Sequence, residues 1–302
     1  MKHLFDITKK IKIDRLENFI SGRENPHIDI ARFDLLHPVV SGNKFFKLKY
    51  NIQMAQDAGY SGIITMGGAY SNHLAATAFA CREMGLNAKA ILRGGITHPL
   101  NHTLSYCTDM GMEIITVPRN LFDEHADQVQ NILAEYPEYY FIPYGGSNKA
   151  GIKGASEMMA MIENYKNYDV IVCSIGSGTM LRGILETLHT HQTLIGIPAM
   201  KIKNDLHNEF IRNHSKPLSK TKFYFEYAGN GFGKADAQTL SFMNMLYEKY
   251  KIPTDFVYTG KLCLAVQDLI LRNEIQSEQK TLIIHSGGLQ GNHSIKKEVL
   301  IF

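Results

Sequence analysis

No stretch of this 302-residue chain holds the roughly 18 consecutive apolar residues that crossing a bilayer requires, and its start, Met1 to Lys12, mixes charges with single apolar residues. Neither membrane insertion nor secretion is expected. An excess of one charge is also lacking, since 32 Lys and Arg stand against 29 Asp and Glu. Without a basic stripe carrying interleaved aromatics, nucleic acid is not an expected partner. Cysteine is scarce: Cys81, Cys107, Cys173 and Cys263 lie far apart, form no C-x-x-C pair, and each falls in an apolar stretch where a thiol packs as a small hydrophobe. A disulfide framework is thereby excluded, and a reducing cytoplasm suits the chain. Metal-ligand sets are missing as well. His98 and His102 share helical spacing, and His189 and His191 are neighbours, but no Glu or Cys completes either group, so no metal is expected. There is no low-complexity linker and no internal repeat.

What is present is a rhythm. From about Ser61, short apolar runs alternate with amphipathic stretches, the pattern of β-α units feeding parallel sheets covered on both faces. Strands are expected at Gly62 to Gly67, Ala88 to Arg93, Glu113 to Val117 and Tyr139 to Pro143, with a helix over Ser71 to Met84. A second series is expected at Tyr168 to Ser174, Thr193 to Ile197, Lys222 to Tyr227 and Thr281 to His285, with a helix over Met180 to His189. At 302 residues and 44% hydrophobic content the chain can bury two moderate cores. The expectation is an α/β protein of two lobes, each an open, mostly parallel sheet covered by helices. Residues 47–152 would form the smaller lobe, and 153–302 the larger one with 1–46 as a flanking segment lacking a β-α rhythm.

Three places can carry chemistry. In Ser41-Gly42-Asn43-Lys44, a lysine follows a Gly-Asn turn at a helix start. There it is either a solvated surface residue or an amine projected into a cleft, where desolvation or a neighbouring cation lowers its pKa and makes it a nucleophile. In Met66-Gly67-Gly68-Ala69-Tyr70-Ser71-Asn72-His73, Ser71 is a good helix cap, which accounts for Ser71 alone. Asn72 and His73 lie just past the carboxyl end of a parallel strand, where ligands bind in open α/β sheets. Cys173-Ser174-Ile175-Gly176-Ser177-Gly178-Thr179-Met180 is a glycine-rich strand-to-helix turn whose N–H groups, at the positive end of a helix, suit a phosphate. Its spacing, Gly176-x-Gly178 and then Gly183, is not G-x-G-x-x-G. The next strand ends in Gly196-Ile197-Pro198 with no acidic residue for a ribose, which disfavours a nicotinamide cofactor. No Gly-Lys-Ser or Gly-Lys-Thr makes a P-loop, and no G-x-S-x-G makes a hydrolase elbow.

Together with Gly145-Gly146-Ser147-Asn148, Tyr258-Thr259-Gly260-Lys261 and His285-Ser286-Gly287-Gly288, these motifs, in this order and across nearly the whole chain, resemble the family of 1-aminocyclopropane-1-carboxylate deaminase and D-cysteine desulfhydrase. That family is pyridoxal-phosphate dependent and has a tryptophan-synthase-β-like fold. The resemblance implies a cofactor, pyridoxal 5'-phosphate, in the cleft between the lobes, carried by Lys44 as a Schiff base. It implies that Asn72 meets the ring hydroxyl, that Gly176, Ser177, Gly178 and Thr179 hold the phosphate, that Thr259 lies near the ring nitrogen, and that Ser286 belongs to the cofactor site. Ser71, His73, Phe232 and Tyr258 would face a small amino-acid substrate, with Lys44, Ser71 and Tyr258 catalytic, in a typically homodimeric enzyme. At position 259 the deaminase branch carries Glu and the desulfhydrase branch Thr. A neutral hydroxyl leaves the ring nitrogen largely unprotonated and the ring a weaker electron sink. His73 also follows the desulfhydrase branch, where the deaminases have Gln. Phe232 replaces a tyrosine usual in both, Phe46 an Arg and Phe33 an Asp. The favoured reaction is β-elimination from a small D-amino acid such as D-cysteine, giving a keto acid, ammonia and a thiol. The alternatives are 1-aminocyclopropane-1-carboxylate deamination and a non-catalytic ligand-binding protein on the same scaffold, which Lys44 argues against.

Overall fold

The computed structural model describes residues 4–6, 10–20, 26–200, 220–228, 231 and 233–302. The apolar runs form two sheets. In one, β3 (Gly62–Gly67), β4 (Asn87–Arg93), β5 (Met112–Val117) and β6 (Tyr139–Ile142) are all parallel, in the order β5-β4-β3-β6. In the other, β1 (Ile13–Arg15), β2 (Ile28–Arg32), β7 (Val170–Ile175), β8 (Thr193–Pro198), β9 (Thr221–Phe223) and β10 (Thr281–His285) run in the order β1-β2-β10-β7-β8-β9. Every pair in this sheet is parallel except β1 with β2. The central strands β3, β7 and β10 are buried at every position, which explains their unbroken apolar character: both faces are covered. Between them lie α1 (Asn43–Asp57), α2 (Asn72–Met84), α3 (His102–Asp109), α4 (Asp127–Glu135), α5 (Lys149–Ser156) and α6 (Thr179–Thr187). Two further helices cover Ala237–Tyr250 and Thr259–Leu271.

The structure departs from the sequence reading in two segments. The first 45 residues contain β1 and β2, and β2 pairs with β10 over Ile28 to Arg32. Their rhythm is hidden because β1 returns antiparallel, with no helix between the two. Lys222 to Tyr227 is not one strand: β9 ends at Phe223 and a 3₁₀ turn, Phe225–Ala228, follows. Among the described residues this edge segment pairs only with β8, and the Tyr227 hydroxyl donates to Asp268.

Phe33 and Phe46 are fully buried and meet edge to face, with ring centroids 5.7 Å apart. The two departures from the family pattern thus form a single packing contact inside the core that joins α1, α2 and β7. A buried Asp and Arg at these positions would carry a desolvation cost that an aromatic pair avoids. All four cysteines are free and buried. Among the described residues, no helix is long and apolar enough to cross a membrane.

Candidate active site

The turns that follow the carboxyl ends of β3, β7 and β10 contribute the residues of the site, Asn72 after β3 meeting Gly288 after β10. Gly42, with φ +58°, breaks the chain out of an extended path and starts α1 against the backbone of Ser286. A hydrogen bond from Asn43 N to the Ser286 carbonyl (3.2 Å) fixes that approach. Lys44, the second residue of α1, leaves part of its surface in the cleft, and its Nζ donates to Asn43 Oδ1 at 2.6 Å. Burial lowers its pKa to about 8, with the Asp255 charge pulling the other way. One turn along the same helix face, Lys47 is buried and donates to the Gly145 carbonyl (3.0 Å) and Ser177 Oγ (3.4 Å). Burial, then the charge of Lys44, holds its pKa well below the ordinary lysine value. The i, i+3 spacing with Lys44 is the sequence signal that would have found it.

Beyond β7, Gly178 (φ +78°) turns the chain into α6, and Thr179 is its first residue. Ser177 Oγ lies 2.9 Å from Thr179 Oγ1 and donates to the Gly145 carbonyl at 3.3 Å. The cradle therefore combines a helix N-terminus, two hydroxyls and the Lys47 amine. The Tyr258 ring closes it from the far side, against Gly176. Burial first, with Tyr144 and Asp255 nearby, pushes the Tyr258 phenol well above its ordinary value.

Beyond β3, Ser71 caps α2, its Oγ accepting from His73 N (3.2 Å) and Leu74 N (3.3 Å). Asn72 Nδ2 donates to the Gly288 carbonyl at 3.0 Å, whereas its buried Oδ1 has no partner. His73 lies beneath the cleft floor. Its Nε2 is 3.0 Å from Thr65 Oγ1, which donates to the Ile142 carbonyl, so the imidazole carries its proton on Nε2 and leaves Nδ1 bare. Burial and the two lysines lower its pKa to about 3. Ser286 is buried, 3.5 Å from Ser174 Oγ. Thr259 is fully buried behind Tyr258, where the sequence reading overlooked its partner, Asp255. Phe232 lies outside the described residues.

The structure thus places Lys44, Asn72, Gly176 to Thr179, Tyr258, Thr259 and Ser286 in or against the turns after β3, β7 and β10, with Ser71 capping α2 and His73 buried beside Thr65. A half-buried lysine, a buried one, a hydroxyl-lined turn at a helix start and an orphaned amide oxygen could together hold a phosphorylated, hydroxylated ring that carries an aldehyde. Chemistry of that kind belongs to cofactor-dependent enzymes. A family model described as "Pyridoxal-phosphate dependent enzyme" matches residues 30–287, and the chain belongs to that family, to its branch of 1-aminocyclopropane-1-carboxylate deaminase and D-cysteine desulfhydrase homologues. A Thermotoga maritima protein provisionally named 1-aminocyclopropane-1-carboxylate deaminase is 30% identical over 295 residues, covering 90% of this chain and 92% of the relative. A D-cysteine desulfhydrase of Klebsiella pneumoniae is 27% identical over 292 residues, covering 88% and 87%. The crystal structure of an "ACC deaminase homologue" superposes with a TM-score of 0.81 at 25% identity, covering 97% of this chain and 94% of that one. Pyridoxal phosphate is the cofactor of the family, and the residues present would fit it: the Lys44 amine could take the aldehyde, the Gly176 to Thr179 turn with Lys47 could take the phosphate, and the orphaned Asn72 Oδ1 could meet the ring hydroxyl.

Proposed function

We propose that this enzyme eliminates the β-substituent of a small D-amino acid, D-cysteine being the first candidate, to yield a keto acid, ammonia and hydrosulfide. The observation that carries the reading is the cleft-facing amine of Lys44, set beside the phosphate cradle with a pKa of about 8, which makes it a base near neutral pH. When bound, the cofactor supplies an aldehyde for the substrate amine and a ring that withdraws electrons from the carbon bearing that amine. The Lys44 amine would take the α-proton. The β carbon–sulfur bond then breaks with its electron pair leaving on sulfur, and water converts the remaining fragment to keto acid and ammonia. The two N–H groups that Ser71 Oγ accepts leave its own hydrogen free for the substrate carboxylate, which the N-terminus of α2 also attracts. Tyr258 remains a phenol and serves as an acid rather than a base.

The second reading, opening of 1-aminocyclopropane-1-carboxylate, is supported by the name of the Thermotoga relative. Ring opening breaks a carbon–carbon bond and needs a proton delivered to the departing carbon, whereas hydrosulfide leaves unaided. Phe232 brings no hydroxyl for that delivery, which leaves Tyr258 alone to serve. An acid–base group is worth about 10² to 10⁴-fold, so kcat/KM for D-cysteine or β-chloro-D-alanine should exceed that for the cyclopropane at least about a hundredfold. A panel of D- and L-amino acids, assayed for keto acid and ammonia with Lys44→Ala as the blank, tests this. Comparable values, or a preference for the cyclopropane, would refute the elimination reading.

A further inference from the structure

The Asp255 side chain is 1% exposed, and its hydrogen bonds come from its own loop. Oδ2 accepts from Val257 N (3.0 Å) and Tyr258 N (2.9 Å), while Oδ1 accepts from Thr259 N (2.9 Å) and from the Thr259 hydroxyl (2.7 Å). In return, Asp255 N donates to Thr259 Oγ1 at 2.8 Å. The loop is anchored from outside: His285 Nε2, whose ring accepts Gly287 N on Nδ1, donates to the Pro253 carbonyl at 2.7 Å. Asn292 Nδ2 donates to the Thr254 carbonyl at 2.9 Å.

A hydroxyl has one hydrogen and two lone pairs. The Thr259 hydrogen is committed to a carboxylate oxygen, a charge-assisted bond of roughly twice the neutral strength. One lone pair is filled by Asp255 N. What remains at Thr259 Oγ1 is a single acceptor position, and a buried group facing it must bring a hydrogen or pair two acceptors at a cost. We propose that Asp255 is a positioning residue that acts through Thr259, fixing the hydroxyl as an acceptor so that the site holds the cofactor's ring nitrogen in its protonated form. This rests on the reading that Thr259 faces the ring nitrogen, and it reverses the expectation attached to a bare threonine, whose hydroxyl can rotate to donate. The carboxylate is present four residues back, in the loop before the helix, and is relayed by one oxygen atom.

The test is the ¹⁵N chemical shift of the holoenzyme loaded with pyridoxal phosphate labelled at the ring nitrogen, which reports protonation at that atom whether or not the enzyme turns over. The parent protein should show the protonated shift, and Thr259→Ser should keep it because the hydroxyl is retained. In Asp255→Asn the amide donates to Thr259 Oγ1 and frees the hydroxyl hydrogen, so the signal should move to the unprotonated position. Thr259→Val, which offers no acceptor, should move it too. An unprotonated parent overturns the proposal, as does a folded, loaded Asp255→Asn that retains the protonated shift. If Asp255→Asn does not fold, the parent, Thr259→Ser and Thr259→Val spectra still decide. A Thr259→Val signal identical to the parent's shows instead that Thr259 does not face the nitrogen, a failure of the underlying reading that is distinguishable from a failure of the relay.

Discussion

Replacing Gly42 with Ala tests the idea that Lys44 is aimed by backbone packing rather than by its own contacts. A methyl group on Gly42 would overlap the Ser286 carbonyl and sit 2.8 Å from Gly287 N. To restore an ordinary carbon–oxygen separation of roughly 3.3 Å, the start of α1 must retreat from the turn after β10 by on the order of 1 Å. Alanine at φ +58° and ψ −140°, a region essentially reserved to glycine, adds about 1 to 3 kcal/mol, and overpacking of this kind costs about 1 to 3 kcal/mol. The sum, about 2 to 6 kcal/mol, corresponds to a fall in Tm of roughly 4 to 12 °C for a chain of this size. The retreat also stretches the bond from Asn43 N to the Ser286 carbonyl and carries Lys44 with it. A displacement of about 1 Å at a reacting group costs on the order of 10²-fold in turnover. Thermal denaturation and steady-state kinetics on the loaded variant measure both effects. A variant that melts within about 1 °C of the parent and turns over at a similar rate would refute the argument.

Two further outcomes follow from the site. Because the neutral amine of Lys44 attacks the aldehyde and its pKa is lowered to about 8, the rate of cofactor loading by apoprotein should rise about tenfold per pH unit below 8 and level off above it. A stopped-flow absorbance series that climbs only near pH 10 would show an ordinary lysine. Gly178→Val places a β-branched residue at φ +78° where α6 begins, crowding the backbone that meets the phosphate, and should weaken cofactor retention at least about tenfold. Unchanged retention after dialysis would place the phosphate elsewhere.

The sequence by itself determined the alternation of strands and helices and the glycine turns that end β3 and β7, because these are set by local burial periodicity and by φ angles that few residues adopt. It also singled out Lys44 as a candidate, through a motif confined to a few consecutive residues. Lys47 was legible in principle, one turn from Lys44, but a lysine reads as solvated until the fold buries it. Asp255 is only four residues from Thr259, yet an acidic residue before a helix looks like an ordinary cap, and nothing local shows that its carboxylate is buried behind a cleft. Phe33 and Phe46, read separately as departures from the family pattern, meet in one core contact, and their positions 13 residues apart say nothing of which side chains meet. Only the tertiary structure decided which carbonyls, those of Gly145 and Ser286, meet the two ends of this lysine face, and that the Thr259 hydroxyl has already given its hydrogen away. Backbone acceptors leave no trace in residue identity, and the direction of a hydroxyl is set by what the fold packs behind it.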